Sequence, residues 1–239
     1  DERQRPMPGL AASWKTGDPL TWEFKLRRGV KFHDGSDFTA ADVVASIERV
    51  PQVPNSPSPF TAFTKQIKEM IVVDPYTIRF KTATPYPLMP TDMTQVAIIS
   101  KSAAKASTED FNNGKAAIGT GPYKLVRYAK GDRIELARHD EYWGGKTPWE
   151  KVTLRLLPND ASRVAALLAG DVQAIEYGPT SDVAKIRADK RLNVYKIIAD
   201  RLIYLHMDSD RDVSPFVTDK AGRPLAKNPL KDPRVSKAL

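Results

Sequence analysis

The chain has 239 residues, a formal net charge of +8 and no cysteine. That length suffices for one large domain or two small ones with a buried core. The missing cysteine excludes disulfides, zinc-thiolate sites and thiol nucleophiles, and no stretch approaches the roughly 18 apolar residues of a membrane-spanning helix.

Lysine and arginine are scattered among acids with no run of five. This describes a solvated, mixed-charge surface better than a nucleic-acid-binding face. Residues 1–9 are polar and proline-rich and read as a connection. Trp22, Phe24 and Leu26 alternate with Thr21, Glu23 and Lys25, the period of a half-buried strand over 21–26. His33-Asp34-Gly35 supplies a turn, which makes His33 a surface turn residue. Thr39 followed by Asp42 has capping-box spacing. Val43, Ile47 and Val50 then fall on one helical face. The proline-rich run 51–63 reads as a loop with Phe60 and Phe63 as anchors or cleft-lining groups. Residues 66–73 and 76–81, joined by Asp74-Pro75, predict an antiparallel hairpin. Ser100 is placed to cap a short helix.

A second hairpin is expected from Tyr123–Tyr128 and Arg133–Arg138 around Lys130-Gly131-Asp132. The stretch 151–177 reads strand, capped helix, strand, with Asn159 or Asp160 as cap, Val164, Leu167 and Leu168 inward, and Gly170 at the helix end. Such a βαβ unit predicts parallel pairing. A short helix follows Pro179 and Ser181, with Val183 and Ile186 inward. Two more strands are expected at 192–198 and 201–207, then a polar, turn-rich segment from Ser209 and a helix start at 228–239.

Catalytic chemistry finds no foothold in these motifs. The three histidines lack the spacing of metal ligands. Gly119-Thr120-Gly121 lacks the third glycine and the lysine of a phosphate loop, and Pro122 removes a backbone donor. There is no G-x-S-x-G and no Ser/His/Asp grouping, so a peptide or sugar hydrolase is a poor reading.

Several stretches carry a family resemblance: LAASW, LTWEFKLRRGVKFHDG and FTAADVVASIERV near the start, GTGPYKLVRYAKGDRIELARHDEYWGG in the middle, and NPLKDPRVSKAL at the end. Together they are similar to the family-5 extracytoplasmic solute-binding proteins, which serve ABC importers of dipeptides, oligopeptides, nickel chelates and related solutes. The resemblance implies an α/β periplasmic-binding-protein-like fold (class II, cluster C type) with mixed parallel and antiparallel sheets, cut short before a second lobe. It divides the chain into a connection (1–9), a small extra domain (10–115), a first-lobe portion (116–227) and the start of a helix (228–239). It implies a periplasmic, monomeric, non-enzymatic protein whose signal peptide has been removed. Such a protein captures a peptide or related solute for a membrane-embedded ABC permease, with no cofactor, no metal and no nucleic acid. The family's ligand-contacting strand matches Tyr204-Leu205-His206-Met207-Asp208. Tyr204 is thus the first candidate ligand contact and His206 the second, with Tyr177 and Phe60 behind them. His206 and Asp208 depart from the family's usual small residue and asparagine, which leaves the ligand class open.

Overall fold

A computed structural model describes the chain except for residues 2, 4, 57, 198–202 and 239. The described residues divide into two compact units, Asp1–Val194 and Tyr195–Leu239.

The first unit begins with strands β1 (Ala11–Asp18) and β2 (Thr21–Leu26) and helix α1 (Ala40–Arg49). A single turn of helix, α2 (Thr61–Thr64), lies in the proline-rich run that the sequence reads as loop. Strands β3 (Ile67–Asp74) and β4 (Thr77–Thr82) make the expected hairpin. The sheet order is β1-β2-β4-β3. In register, Phe24 stands opposite Trp14 and Ile78, and Trp22 opposite Phe80. This alternation gives the sheet an apolar face. Phe24, Leu26, Ile78 and Phe80 on that face join Val43 and Ile47 of α1 and Phe32 and Phe38 of the intervening turn in one core. Phe24 and Phe80 touch with ring centroids 5.2 Å apart. The other face is charged: Glu23 meets Arg79 at 2.8 Å, Lys25 at 3.7 Å and Lys15 at 3.8 Å.

The capping signal at Thr39 is real. Its amide and its hydroxyl both donate to Asp42 Oδ2, at 2.9 and 3.0 Å. Ser100 accepts from the amide of Ser102 at the start of a single 3-10 turn, Lys101–Ala103. Two more short helices, α3 (Met89–Met93) and α4 (Thr108–Asn112), lie in the connections flanking that turn.

The second sheet is β5 (Tyr123–Ala129), β6 (Arg133–Arg138) and β7 (Lys151–Arg155), in that order. Gly131, in the turn between β5 and β6, has φ +79°, a conformation that suits glycine. Helix α5 (Asp160–Ala169) is capped by Asn159, whose side chain accepts from the Ser162 amide, and ends at left-handed Gly170. Helix α6 (Val183–Ala188) buries Ile186 against Val164 and Leu167 of α5.

The expected βαβ unit does not form. Residues 171–177 make no strand, and every strand pairing among the described residues is antiparallel. A strand exists only against a partner, and none lies beside this stretch. Val172 and Ile175 instead pack onto the small α5–α6 core, as do Leu192 and Val194. The strands expected at 192–198 and 201–207 are likewise absent over 192–197 and 203–207; residues 198, 201 and 202 lie outside the described residues. Tyr195, Ile197, Ile203 and Leu205 stand exposed, so strand-type alternation is present there without a sheet to bury it.

The second unit is turn-rich, as its composition predicts. An isolated antiparallel bridge joins Thr218 to Pro224. The Asp219 carboxylate closes that turn by accepting from the amides of Ala221 and Arg223, at 2.8 and 3.0 Å. Helix α7 (Pro233–Ala238) ends the unit.

Candidate functional site

The sequence places its best ligand contacts at Tyr204 and His206, and the second unit brings these two together. Their ring centroids are 6.3 Å apart at an interplanar angle of 49°. The backbone there forms no regular element, in place of the expected strand. Tyr204 is 69% exposed and His206 is exposed too, so both rings are accessible to a binding partner.

The chain just beyond the pair is held firmly. Asp208 accepts from Ser214 Oγ at 2.7 Å and from Arg211 Nη1 at 3.0 Å. These donors, Ser214 first, hold the Asp208 carboxyl below its ordinary range. Asn228 then donates its side-chain amide to the Asp208 and Arg211 carbonyls, at 2.5 and 2.9 Å. Its Oδ1 accepts from the Leu230 amide at 3.0 Å, capping the 3-10 turn Pro229–Lys231. Arg211 also lies over the Phe216 ring, 5.6 Å from its centroid. An aromatic pair therefore leads into a carboxylate whose Oδ2 is engaged by two donors. Asp208 ties the segment through Oδ2. The sequence offers Asp208 only as a departure from the family pattern and Asn228 only as the start of the NPLKDPRVSKAL stretch; their contacts with Ser214 and Arg211 are found only through the fold.

The other two candidates belong to the first unit and to different elements. Tyr177 is 70% exposed with φ +54°, and its carbonyl accepts from Arg163 at 3.4 Å. Phe60 is 50% exposed and rests on Phe63, ring centroids 6.1 Å apart. Phe60 is thus tied to its own helical turn rather than sunk in the core.

The first unit also contains an apolar cavity of about 530 Å³ that sequence reasoning does not find. Leu10, Trp14, Phe24, Phe80, Met93 and Ile98 line it, and Gly119–Gly121 forms part of its wall. Its apolar lining suits hydrocarbon surface rather than charged termini. Among the described residues no three His, Asp or Glu side chains come together as metal ligands, and no helix is long and apolar enough to cross a membrane.

Comparison with known proteins places this geometry in context. Residues 5–239 match the family model of the bacterial extracellular solute-binding proteins, family 5 Middle. The dipeptide-binding protein of Escherichia coli is 29% identical over 98% of this chain and 45% of its own length. Heme-binding protein A of Haemophilus influenzae is 30% identical over 87% of this chain and 42% of its own length. Among solved structures, NikZ from Campylobacter jejuni in complex with Ni(L-His) superposes with a TM-score of 0.66 at 26% identity, covering 77% of this chain and 37% of that one. The chain spans less than half the length of the curated relatives it matches.

Proposed function

This chain belongs to the bacterial extracellular solute-binding proteins of family 5, and from that premise we propose that it serves to capture a small solute and deliver it to an ABC permease in the membrane. A peptide is the favoured solute, the protein works in the periplasm as a monomer, and it binds without catalysing a reaction. The observation that carries this reading is the family match along residues 5–239. The Escherichia coli, Haemophilus influenzae and Campylobacter jejuni relatives bind a dipeptide, heme and a nickel–histidine complex, so the scaffold accepts several chemistries and the side chains of each member choose among them.

Tyr204 and His206 are the proposed ligand contacts, with Tyr177 and Phe60 as lesser candidates. Support comes from the exposure of the Tyr204 and His206 rings and from the Asp208–Ser214–Asn228 network that fixes the chain just beyond them. Aromatic faces offer a ligand large contact area at little entropic expense. Residues 10–115 and 116–227 are proposed as the small extra domain and first-lobe portion; the four-stranded sheet and the buried residues of its core fall within the former, with Ile118 and Trp143 of the latter packed against that core.

The test is calorimetry on the full natural gene product that carries this sequence, against di- and oligopeptides, heme and nickel–histidine. One class should bind, and Tyr204→Ala should weaken it by about tenfold or more, about 1.4 kcal/mol. Hydrolysis of the peptides, or binding indifferent to both Tyr204→Ala and His206→Ala, would remove the proposed role or the proposed site respectively.

A further inference from the structure

Two histidines far apart in sequence meet inside the first unit. The His33 and His139 rings stand edge to face, centroids 5.1 Å apart at 89°. His139 is 1% exposed. Both rings converge on one carbonyl: Gly121 O lies 3.0 Å from His33 Nε2 and 3.2 Å from His139 Nδ1. The amide of Gly119 donates to His33 Nδ1 at 3.3 Å.

These partners define the proton arrangement. A backbone N–H can only donate, so His33 Nδ1 must be a bare acceptor and its Nε2 must carry the proton given to Gly121 O. His139 must likewise hold its proton on Nδ1 to reach that carbonyl. Its Nε2 is buried without a hydrogen-bond partner.

The pair joins three separate places. His33 follows β2 and the first sheet, and its amide donates to Gly119 O at 2.8 Å. The 119–122 segment leads into β5, and His139 follows β6, its amide donating to Pro122 O at 2.9 Å. The same 119–121 segment walls the apolar cavity.

We propose that His33 and His139 form an acid-released clasp that holds the 119–122 segment between the two sheets. A second proton on His33 must go to Nδ1, where it would point at the Gly119 N–H. Two donors cannot share that contact, so the Gly119 amide must turn away from the ring. The charged and titratable groups facing His33 favour release once acid is present. Lys124 from β5 places its ammonium on the His33 carbonyl at 3.3 Å, and His139 faces the ring from the segment after β6. Asp34, in the same turn, opposes them, but its carboxylate is already engaged by the Ser36 hydroxyl and amide, at 2.6 and 3.0 Å. Desolvation first, and then His139 and Lys124, hold the His33 pKa below its usual value, against the contrary pull of its bond to Gly121. The clasp therefore stays shut through neutral pH and opens as pH falls through that lowered value.

The test is amide hydrogen exchange at Gly119, corrected for the intrinsic effect of pH, together with the NMR titration of the His33 ring in the purified chain. Below the His33 pKa, Gly119 protection should fall by up to about tenfold per pH unit, with the ring titrating below about 6.5. His33→Gln, which cannot titrate, should show flat protection over the same range. An equal acid-dependent loss in His33→Gln, or a His33 ring titrating at or above about 6.5, overturns the clasp. Should His33→Gln fail to fold, the wild-type titration and the Gly119 profile decide it, because protection that does not track the His33 titration is incompatible with the proposal.

Discussion

Asp42 offers the sharpest test of how the first unit is held together. It is buried in α1, yet its carboxylate serves two distant backbone sites. Oδ2 accepts the Thr39 amide and hydroxyl at 2.9 and 3.0 Å, and Oδ1 accepts the Lys101 amide at 2.9 Å. One turn later, Ser46 Oγ donates to the Asp42 carbonyl at 2.7 Å and accepts from the Ile99 amide at 3.0 Å. The 99–101 segment is thus fastened to α1 through two side chains. Asp42→Ala strands the Thr39 and Lys101 amides and the Thr39 hydroxyl. Each unsatisfied buried donor costs about 1–3 kcal/mol. Lys101 is exposed and Thr39 half-buried, so water replaces part of what the carboxylate gave, and the loss should be on the order of 1–3 kcal/mol. Asp42→Asn keeps the shape but replaces one acceptor by a donor, so about half that loss is expected. All four tryptophans lie within the first unit, so their fluorescence in a urea titration reports it alone. A shift in midpoint at constant slope is the expected form. If Asp42→Ala lost less than about 1 kcal/mol, or matched Asp42→Asn, the acceptor argument would be wrong and Asp42 would be merely a helix-start residue.

Phe80→Ala should destabilise the first unit by about 3–5 kcal/mol, because Phe80 is buried against Phe24 at the centre of the sheet; a loss below about 1 kcal/mol in the same urea assay would mean that the core there collapses freely. Gly170→Ala should cost about 1–2 kcal/mol, since its φ of +82° is strained for any residue with a Cβ; thermal unfolding of the first unit is the readout, and an unchanged midpoint would speak against that geometry. Glu23 gives a pH dependence. Its hydrogen bond to Arg79, helped by Lys25 and Lys15, holds its pKa down against the opposing effect of desolvation. The stabilisation is complete above about 4.3, the ordinary glutamate value, and is lost as pH falls through the lowered folded value. Wild-type stability should therefore drop more steeply than that of Glu23→Gln in this acid range; parallel curves would show that the charged face of the sheet contributes nothing to folding.

The parts of the fold that can be read from sequence are those whose signal and whose partner are both on hand. Strand β2 alternates cleanly, and β1, β4 and the core beneath it give that alternation something to bury. Thr39 with Asp42, and Asn159 with Gly170, mark helix ends by chemistry that acts within a few residues. Strand β1 carries little signal of its own because its residues alternate weakly and it is recruited by β2 across a turn. His33 is legible only as a turn residue; its burial depends on His139 and Gly121, about a hundred residues on, which no local pattern reveals. The same limit applies to the candidate site. The Tyr204–His206 pair can be picked from sequence through its family motif, whereas the Ser214 and Asn228 contacts that secure Asp208 are products of the fold.

The failed strands sharpen the point. Residues 192–197 and 203–207 have β-branched and aromatic side chains in strand-like alternation, and 171–177 comes after a properly capped helix. None forms a ladder. A helix satisfies its own backbone and can form wherever one face is covered, as α5 and α6 do around Ile186. A strand leaves every N–H and C=O looking outward, so its propensity is realised only beside another edge. Where that edge is missing, apolar residues are covered only if another element of their own unit takes them up. Val172, Ile175, Leu192 and Val194 are close enough to α5 and α6 to pack on them, and they do. Tyr195, Ile197, Ile203, Tyr204 and Leu205, in the second unit, are exposed. The exposure of Tyr204 thus has two sources, a strand-forming sequence without a neighbour and an Asp208 anchor that fixes the chain beyond it. Only the second is a property of the site itself, which makes Asp208→Ala the informative companion to Tyr204→Ala. If the anchor positions the aromatic pair, Asp208→Ala should weaken ligand binding by releasing Ser214 and Arg211. Restoring the acceptor with Asp208→Asn should recover most of the affinity in the same calorimetric assay. Equal losses in Asp208→Ala and Asp208→Asn would instead place the carboxylate charge in direct contact with the solute.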